Sequence, residues 1–166
     1  EIRGSNTYVT GLKMAIFDVT DVNNPKQLSD VTIGDKNTKS PILTNHKALL
    51  FSKEKGIIAI PVNSYSSQIT EQTVSTTDVE KLVDKYNTGS SSDYISEGYL
   101  IYNIDTENGI SLKGVIEHSS ANKNTKSYGS QVLRGLYIKD SLITISQHML
   151  KVNNLQTLKE ISTMGI

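Results

Sequence analysis

A strand–turn–strand unit at residues 14–28 constrains the fold of this chain more than any other feature. An apolar stretch ends at Asp18, a polar turn with Asp21 follows, and Pro25 precedes a second β-rich stretch. Aspartate side chains accept hydrogen bonds from nearby backbone N–H groups in turns. Pro25 fixes φ at a position where the sheet needs no N–H donor. The segment therefore predicts two antiparallel strands joined by a tight turn.

The same unit recurs along the chain, and the recurrence predicts the architecture. Residues 98–105 repeat the order of residues 11–18, with a glycine, an apolar stretch and an aspartate at the turn. Residues 147–154 are a weaker third copy. Gly56 and the pair Asn108–Gly109 are typical of the turns that close β-hairpins. About ten short strands in hairpins predict an all-β fold, and sheet units repeated in this way are typical of a β-propeller.

The repeat divides the 166 residues into about two and a half four-stranded antiparallel blades, which together form a fragment of one domain. Half a blade is predicted at residues 11–40, a full blade at 45–118 and another at 132–164. The full blade at 45–118 contains a polar, Ser/Thr-rich insertion at 63–97. A capping box followed by helical spacing of apolar residues predicts one short helix in this insertion, at residues 77–86.

Composition excludes several classes of function. Lys plus Arg and Asp plus Glu each total 17, so the formal charge is zero and no basic field for nucleic acid is present. The absence of cysteine excludes disulfides, thiolate nucleophiles and Cys-ligated zinc. No apolar run approaches the roughly 20 residues that span a bilayer. Because the sequence does not begin with Met, we expect it to be cut from a longer protein, with any signal segment upstream.

The sequence contains no motif for nucleophilic, phosphate-binding or metal chemistry. The Gly-x-Ser-x-Gly elbow, the glycine-rich phosphate loops and His-Glu-x-x-His are all absent. Asp18, Asp21, Asn23 and Asn24 offer hard oxygens to calcium, but their spacing matches no EF-hand or nonapeptide loop, and turn formation accounts for them. Asp105 is interpreted as a turn residue in the same way. We therefore predict no catalytic residue, no metal site and no cofactor.

Several segments resemble a family of secreted bacterial proteins that carry a C-terminal β-propeller domain distantly related to WD repeats. The matching segments are residues 11–21, 24–26, 45–51, 54–62 and 134–138. The match is most specific at residues 45–48 and 134–138, and it spans nearly the whole chain. The resemblance implies an exported protein, secreted or held at the cell envelope, of which this chain is similar to the last blades only. It implies no catalytic residue.

The candidate site residues are histidines and tyrosines. His46 precedes an inner strand, and we predict that it ties a loop to the blade by hydrogen bonds, a role that histidine often has in WD-type propellers. His118 and His148 are predicted to be loop residues. Tyrosine rings on loops can contact a peptide or a sugar. The candidate ligand-facing residues are Tyr65, Tyr94 and Tyr128.

Two functions from different classes fit these observations. The first is a non-catalytic extracellular β-propeller that acts as a binding or scaffold module for a protein, a peptide or a cell-envelope component. The second is a hydrolase or lyase whose active site lies in the central channel of a complete propeller. The absence of nucleophile, metal and phosphate motifs favours the first. The open sheet edges of a partial propeller also predict self-association or pairing with the missing blades.

Overall fold

The computed structural model of the chain describes six ranges of residues. They are residues 2–3, 6–7, 11–34, 38–64, 96–118 and 131–166. The predicted helix and the candidate ligand-facing tyrosines lie outside them: residues 77–86, Tyr65, Tyr94 and Tyr128. The expectations for these residues therefore stay predictions.

The described ranges form twelve β-strands and two 3₁₀ helices. The strands are β1 (Ile2–Arg3), β2 (Asn6–Thr7), β3 (Leu12–Asp18), β4 (Lys26–Ile33), β5 (Leu50–Ser52), β6 (Ile57–Ser64), β7 (Ser96–Asp105), β8 (Gly109–Glu117), β9 (Val132–Ile138), β10 (Ser141–Ser146), β11 (Met149–Asn154) and β12 (Glu160–Gly165). The 3₁₀ helices, Pro41–Leu43 and His46–Ala48, lie between β4 and β5.

The strands pair in antiparallel sheets whose order follows the chain. β3 and β4 form a two-stranded sheet, the half blade. β5 to β8 form a four-stranded sheet, the middle blade, and β9 to β12 form a second one, the last blade. β1 and β2 form a separate two-stranded pair. This arrangement confirms the prediction of an all-β partial β-propeller.

The strands of the three sheets lie within residues 12–33, 50–64, 96–117 and 132–165. Within the middle blade, β6 ends at Ser64 and β7 begins at Ser96, and these two residues are opposite each other in the antiparallel pair. The intervening sequence therefore leaves and re-enters the blade at the same end. Of the insertion predicted at residues 63–97, residues 65–95 lie outside the described ranges, and that prediction stays a prediction.

The turn of the half blade forms as its aspartates predict. Oδ1 of Asp18 accepts hydrogen bonds from the backbone N–H of Thr20 at 2.8 Å and from its hydroxyl at 2.6 Å. Oδ1 of Asp21 accepts a hydrogen bond from the backbone N–H of Asn23 at 3.1 Å. The bonds from Thr20 stabilise the carboxylate and lower the pKa of Asp18. Both aspartates are thus turn residues, and the prediction of that role is confirmed.

The middle blade is buried on both faces. Along β7, Tyr99 and Ile101 pack towards the last blade, whereas Leu100 and Tyr102 pack towards the half blade. This explains why the centre of β7, residues 98–102, has no polar residue on either face. The layer against the last blade contains Ile57, Ala59, Tyr99, Ile101, Ile116, Val132, Leu142 and Leu155. The layer against the half blade contains Ile33, Ile60, Val62, Leu100 and Tyr102.

Candidate binding surface

The first strands of the two complete blades lie side by side and define a common inner edge. β5 is the first strand of the middle blade, β9 is the first strand of the last blade, and the two are in contact. Before β5, Lys39 pairs with Asn63 on the same edge of β6 that β5 uses further along. The chain between them, residues 41–49, therefore bulges from this inner edge as a loop.

Local hydrogen bonds fix the loop at residues 41–49. The hydroxyl of Ser40 donates a hydrogen bond to the carbonyl of Pro61 on β6 at 2.5 Å. The same side chain caps the first 3₁₀ helix, in which Pro41 occupies the first turn, where a backbone N–H would have no partner in the helix. The side chain of Asn45 caps the second 3₁₀ helix by accepting from the N–H of Lys47 at 3.1 Å. Ala48, at the end of the second 3₁₀ helix, is fully buried. The loop is thus held in one conformation by caps and by one anchor to the blade.

The loop and the strands beside it expose apolar side chains. Leu43 is 69% exposed, and Leu49 and Leu133 are each 41% exposed. Leu43 and Leu49 lie on the loop, and Leu133 lies on β9, the strand that contacts the second 3₁₀ helix of the loop. We call these three residues the inner-edge surface. Large apolar side chains are usually buried on folding, and exposed ones on and beside an anchored loop are typical of an interaction site. The inner-edge surface is therefore the candidate binding surface of the described residues.

His46 lies on this loop, at the start of the second 3₁₀ helix, and its side chain is exposed. Its backbone carbonyl accepts a hydrogen bond from the N–H of Leu49 at 3.2 Å. The contact observed for His46 is thus a bond of its main chain within the loop. The predicted tie through the His46 side chain stays a prediction.

His118 provides a tie between the two complete blades, whereas sequence analysis placed it in a loop. It follows β8 directly and is 1% exposed. Its Nε2 shares a 2.8 Å hydrogen bond with the hydroxyl of Thr144 on β10, and its ring packs edge-on against Tyr99 at 5.5 Å. Burial, together with the smaller effect of the nearby charge of Lys151, lowers the pKa of His118 to about 4. His118 is therefore a neutral, buried contact between blades at neutral pH.

Other polar groups join the same two blades. The hydroxyl of Tyr99 donates to the backbone carbonyl of Ile145 at 2.8 Å. The hydroxyls of Ser52 and Tyr137 share a hydrogen bond at 3.1 Å. Burial raises the pKa of Tyr99, so it stays a neutral donor. These groups are occupied in holding the blades together and are not presented to a ligand.

The acidic and histidine side chains of the described ranges are dispersed. No group of three or more His, Cys, Asp or Glu side chains there could hold a metal ion. Asp105 is a turn residue like Asp18, since its carboxylate accepts from the N–H of Glu107 at 2.8 Å, and this bond lowers its pKa. No helix in the described part of the chain is long and apolar enough to cross a membrane.

Sequence analysis missed both the exposed leucines and the buried histidine. Leu43 is exposed because its loop leaves the blade edge. The loop is anchored there by the hydrogen bond from Ser40 to Pro61, two residues that are 21 positions apart in the sequence. His118 carried a usable signal: it stands two residues after the buried Ile116, on the same face of an extended chain.

Stacked antiparallel sheets of four strands, each following the chain from the inner edge outwards, define a protein of the β-propeller class. The family comparison agrees with this class: the family model described as a Beta propeller domain matches residues 1–158. The chain therefore belongs to the β-propeller domain family, whose fold serves in general as a binding or scaffold module. No curated protein and no solved structure matches the chain.

Proposed function

We propose that the protein is an exported, non-catalytic β-propeller that binds a protein, a peptide or a cell-envelope component through its inner-edge surface. The observation that carries the proposal is the exposure of Leu43, Leu49 and Leu133 on a loop and strands that are otherwise tightly anchored. A rigid apolar surface loses little conformational entropy when a ligand covers it. The resemblance to secreted bacterial propeller proteins supports export.

Electrostatics supports a ligand recognised by apolar contact. The chain carries no net charge, and the described acidic groups at the turns are engaged by neighbouring donors. Lys47 is the charged residue of the loop at residues 41–49 and lies beside exposed Asn45 and His46. An apolar centre with a polar rim of this kind is the usual anatomy of a protein interface. A peptide or protein with an apolar anchor is therefore the favoured ligand.

The proposal extends to association between copies of the chain. Ile143 and Ile145 on β10 alternate with buried residues that face the middle blade, so they lie on the opposite, open face of the last blade. Leu150 and Val152 pair with them on β11. None of these four belongs to either apolar layer between the sheets. An open apolar sheet face of this kind supports a second copy or a further blade as its cover.

Binding is tested with the immobilised chain and with extracts of culture supernatant and cell envelope, followed by mass spectrometry. The test variant is Leu43→Asp combined with Leu49→Asp, and the matched control is Val22→Asp, which changes a 78% exposed residue of the distant half-blade turn. We expect the wild type and the control to retain one component that the test variant loses, and the purified component to bind in calorimetry. Equal retention by all three proteins, or cleavage of the component, contradicts the proposal.

A further inference from the structure

The turn between β7 and β8 contains the one asparagine of the sequence that a glycine follows. Asn108 is exposed, and Gly109 is the first residue of β8. In such a pair the backbone nitrogen of glycine can approach the side-chain carbonyl carbon of asparagine, because glycine has no side chain to obstruct it. The product of that attack is a cyclic succinimide. The turn therefore carries the reacting groups of a spontaneous modification.

The fold requires glycine at the second position of this pair. The φ of Gly109 is +76°, a conformation that residues with a Cβ rarely adopt. A Cβ there would also lie 2.6 Å from the hydroxyl oxygen of Ser29 on β4. The same hydroxyl accepts a hydrogen bond from the N–H of Ile110 at 3.1 Å, so the turn is held against the half blade. The unhindered nitrogen beside Asn108 is thus a consequence of blade packing.

Asp105 holds the side chain of Asn108 in the folded turn. Its Oδ1 accepts a hydrogen bond from the N–H of Glu107 at 2.8 Å, and its Oδ2 accepts one from Nδ2 of Asn108 at 2.5 Å. The N–H of Glu107, and to a smaller extent the amide of Asn108, lower the pKa of Asp105, so this carboxylate is ionised at neutral pH. The bond to Oδ2 opposes the rotation that would bring the carbonyl carbon of Asn108 onto the nitrogen of Gly109.

We propose that Asn108 is a site of spontaneous deamidation and that its hydrogen bond to Asp105 sets the rate. Hydroxide removes the proton from the backbone nitrogen of Gly109, and this nitrogen bonds to Cγ of Asn108. The bond between Cγ and Nδ2 breaks, and Nδ2 leaves as ammonia with a proton from water, which restores the hydroxide. Water then opens the succinimide at either carbonyl and leaves aspartate or isoaspartate at position 108.

Deamidation reverses the interaction within the turn. A carboxylate at position 108 faces the carboxylate of Asp105, where the amide now donates to it, and like charges at this separation repel each other. Isoaspartate also adds one methylene to the main chain at position 108, which displaces the N–H of Ile110 from the hydroxyl of Ser29. The modification therefore loosens the contact between the half blade and the middle blade.

The test keeps the purified chain at mildly alkaline pH and follows each asparagine by peptide mapping and mass spectrometry. An isoaspartyl methyltransferase detects the isoaspartate product. We expect Asn108 to deamidate several-fold faster than Asn23 and Asn45, which are also exposed but precede bulkier residues. The rate at Asn108 should rise with pH, because hydroxide takes part in the first step.

The variant Asp105→Ser isolates the hydrogen bond to the amide. A serine hydroxyl can still accept from the N–H of Glu107, as serine does in turns, but it is too short to reach the amide of Asn108. We expect this variant to deamidate at Asn108 several-fold faster than the wild type while folded, and at the wild-type rate in urea, where the turn is absent. Asp18→Ser makes the same change in the turn of the half blade and is the control that leaves the rate at Asn108 unchanged.

Three results would overturn the inference. They are a rate at Asn108 no higher than at Asn23 and Asn45, equal rates in folded wild type and Asp105→Ser, and a difference between these two proteins that persists in urea. The deamidated fraction, separated by anion-exchange chromatography, should exchange the N–H of Ile110 with solvent faster than the unmodified chain does. Unchanged hydrogen exchange at Ile110 would contradict the loosening of the half blade.

Discussion

At the scale of single residues, His118 makes the stability of the blade contact depend on pH. Its pKa is about 4 in the folded chain, against 6.5 for an ordinary histidine. As the pH falls, the unfolded chain takes up the proton first, so protonation favours unfolding between these two values. The contribution of His118 is complete above pH 6.5 and is lost progressively as the pH falls towards 4.

We expect the free energy of unfolding to fall by about 1 kcal/mol from this residue between about pH 7.5 and about pH 5.5. Urea unfolding at the two pH values measures it. His118→Gln should reduce the pH dependence, whereas His46→Gln, which changes an exposed histidine, should leave it intact. An identical pH dependence in wild type and His118→Gln would show that His118 does not titrate in this way.

Thr144 supplies the hydrogen-bond partner of the same histidine and is fully buried. Thr144→Val keeps the size of the side chain and removes the hydroxyl, so Nε2 of His118 stays buried without a partner. We expect a loss of about 1–3 kcal/mol in the free energy of unfolding, measured in urea. Thr20→Val removes a hydroxyl that donates to the exposed Asp18. We expect it to lower the free energy of unfolding by less than Thr144→Val does. Equal costs for the two variants would argue against the blade tie.

At the scale of elements, the strands were predictable wherever local chemistry marks their ends. Asp18, Gly56 and Gly109 mark turns by side-chain acceptors or by positive φ, which is +62° at Gly56 and +76° at Gly109. The two 3₁₀ helices were not predicted, although Ser40 and Asn45 are residue types that cap helices. Their geometry depends on contacts such as the hydrogen bond from Ser40 to Pro61, which no local pattern encodes.

The candidate site was less predictable for the same reason. Sequence analysis identified His46 and the loop tyrosines by residue type, and it placed His118 in a loop. The burial of His118 depends on Thr144, which lies 26 residues further along the chain on another blade. Residue type indicates which contacts a side chain can make, whereas the packing of the blades decides which side chains are buried.

Strand pairing in the middle blade gives a prediction at Gly98. A Cβ at this position would lie 2.5 Å from the carbonyl oxygen of Ile116 on β8, too close for any real Cβ contact. We expect Gly98→Ala to destabilise the chain by about 1–3 kcal/mol because the backbone of β7 or β8 must move. Gly135→Ala on β9 is the matched control, since the nearest atom there is 3.6 Å away. Thermal and urea unfolding compare the two, and an equal loss at Gly135 would refute the steric explanation.

At the scale of the whole molecule, the middle blade packs both of its apolar faces on its neighbours, and within the described residues no sheet packs on the outer, open face of the last blade. Ile138 and Met164 lie on this face and are 58% and 53% exposed. A face of four strands and about six residues covers about 400 Å². A stable interface buries roughly 800 Å² on each partner. We therefore expect copies of the chain to associate weakly and reversibly through this face.

Light scattering coupled to size-exclusion chromatography over a range of concentrations measures this association. We expect the mean mass of the wild type to rise with concentration, because a small apolar interface gives a weak dimer. Ile138→Asp combined with Met164→Asp should keep the chain monomeric, since a charge on the open face must lose its water when copies associate. Val22→Asp and Phe51→Asp should behave as the wild type, because both residues lie away from this face. If the wild type is a monomer at every concentration, the expected association through the open face of the last blade does not occur.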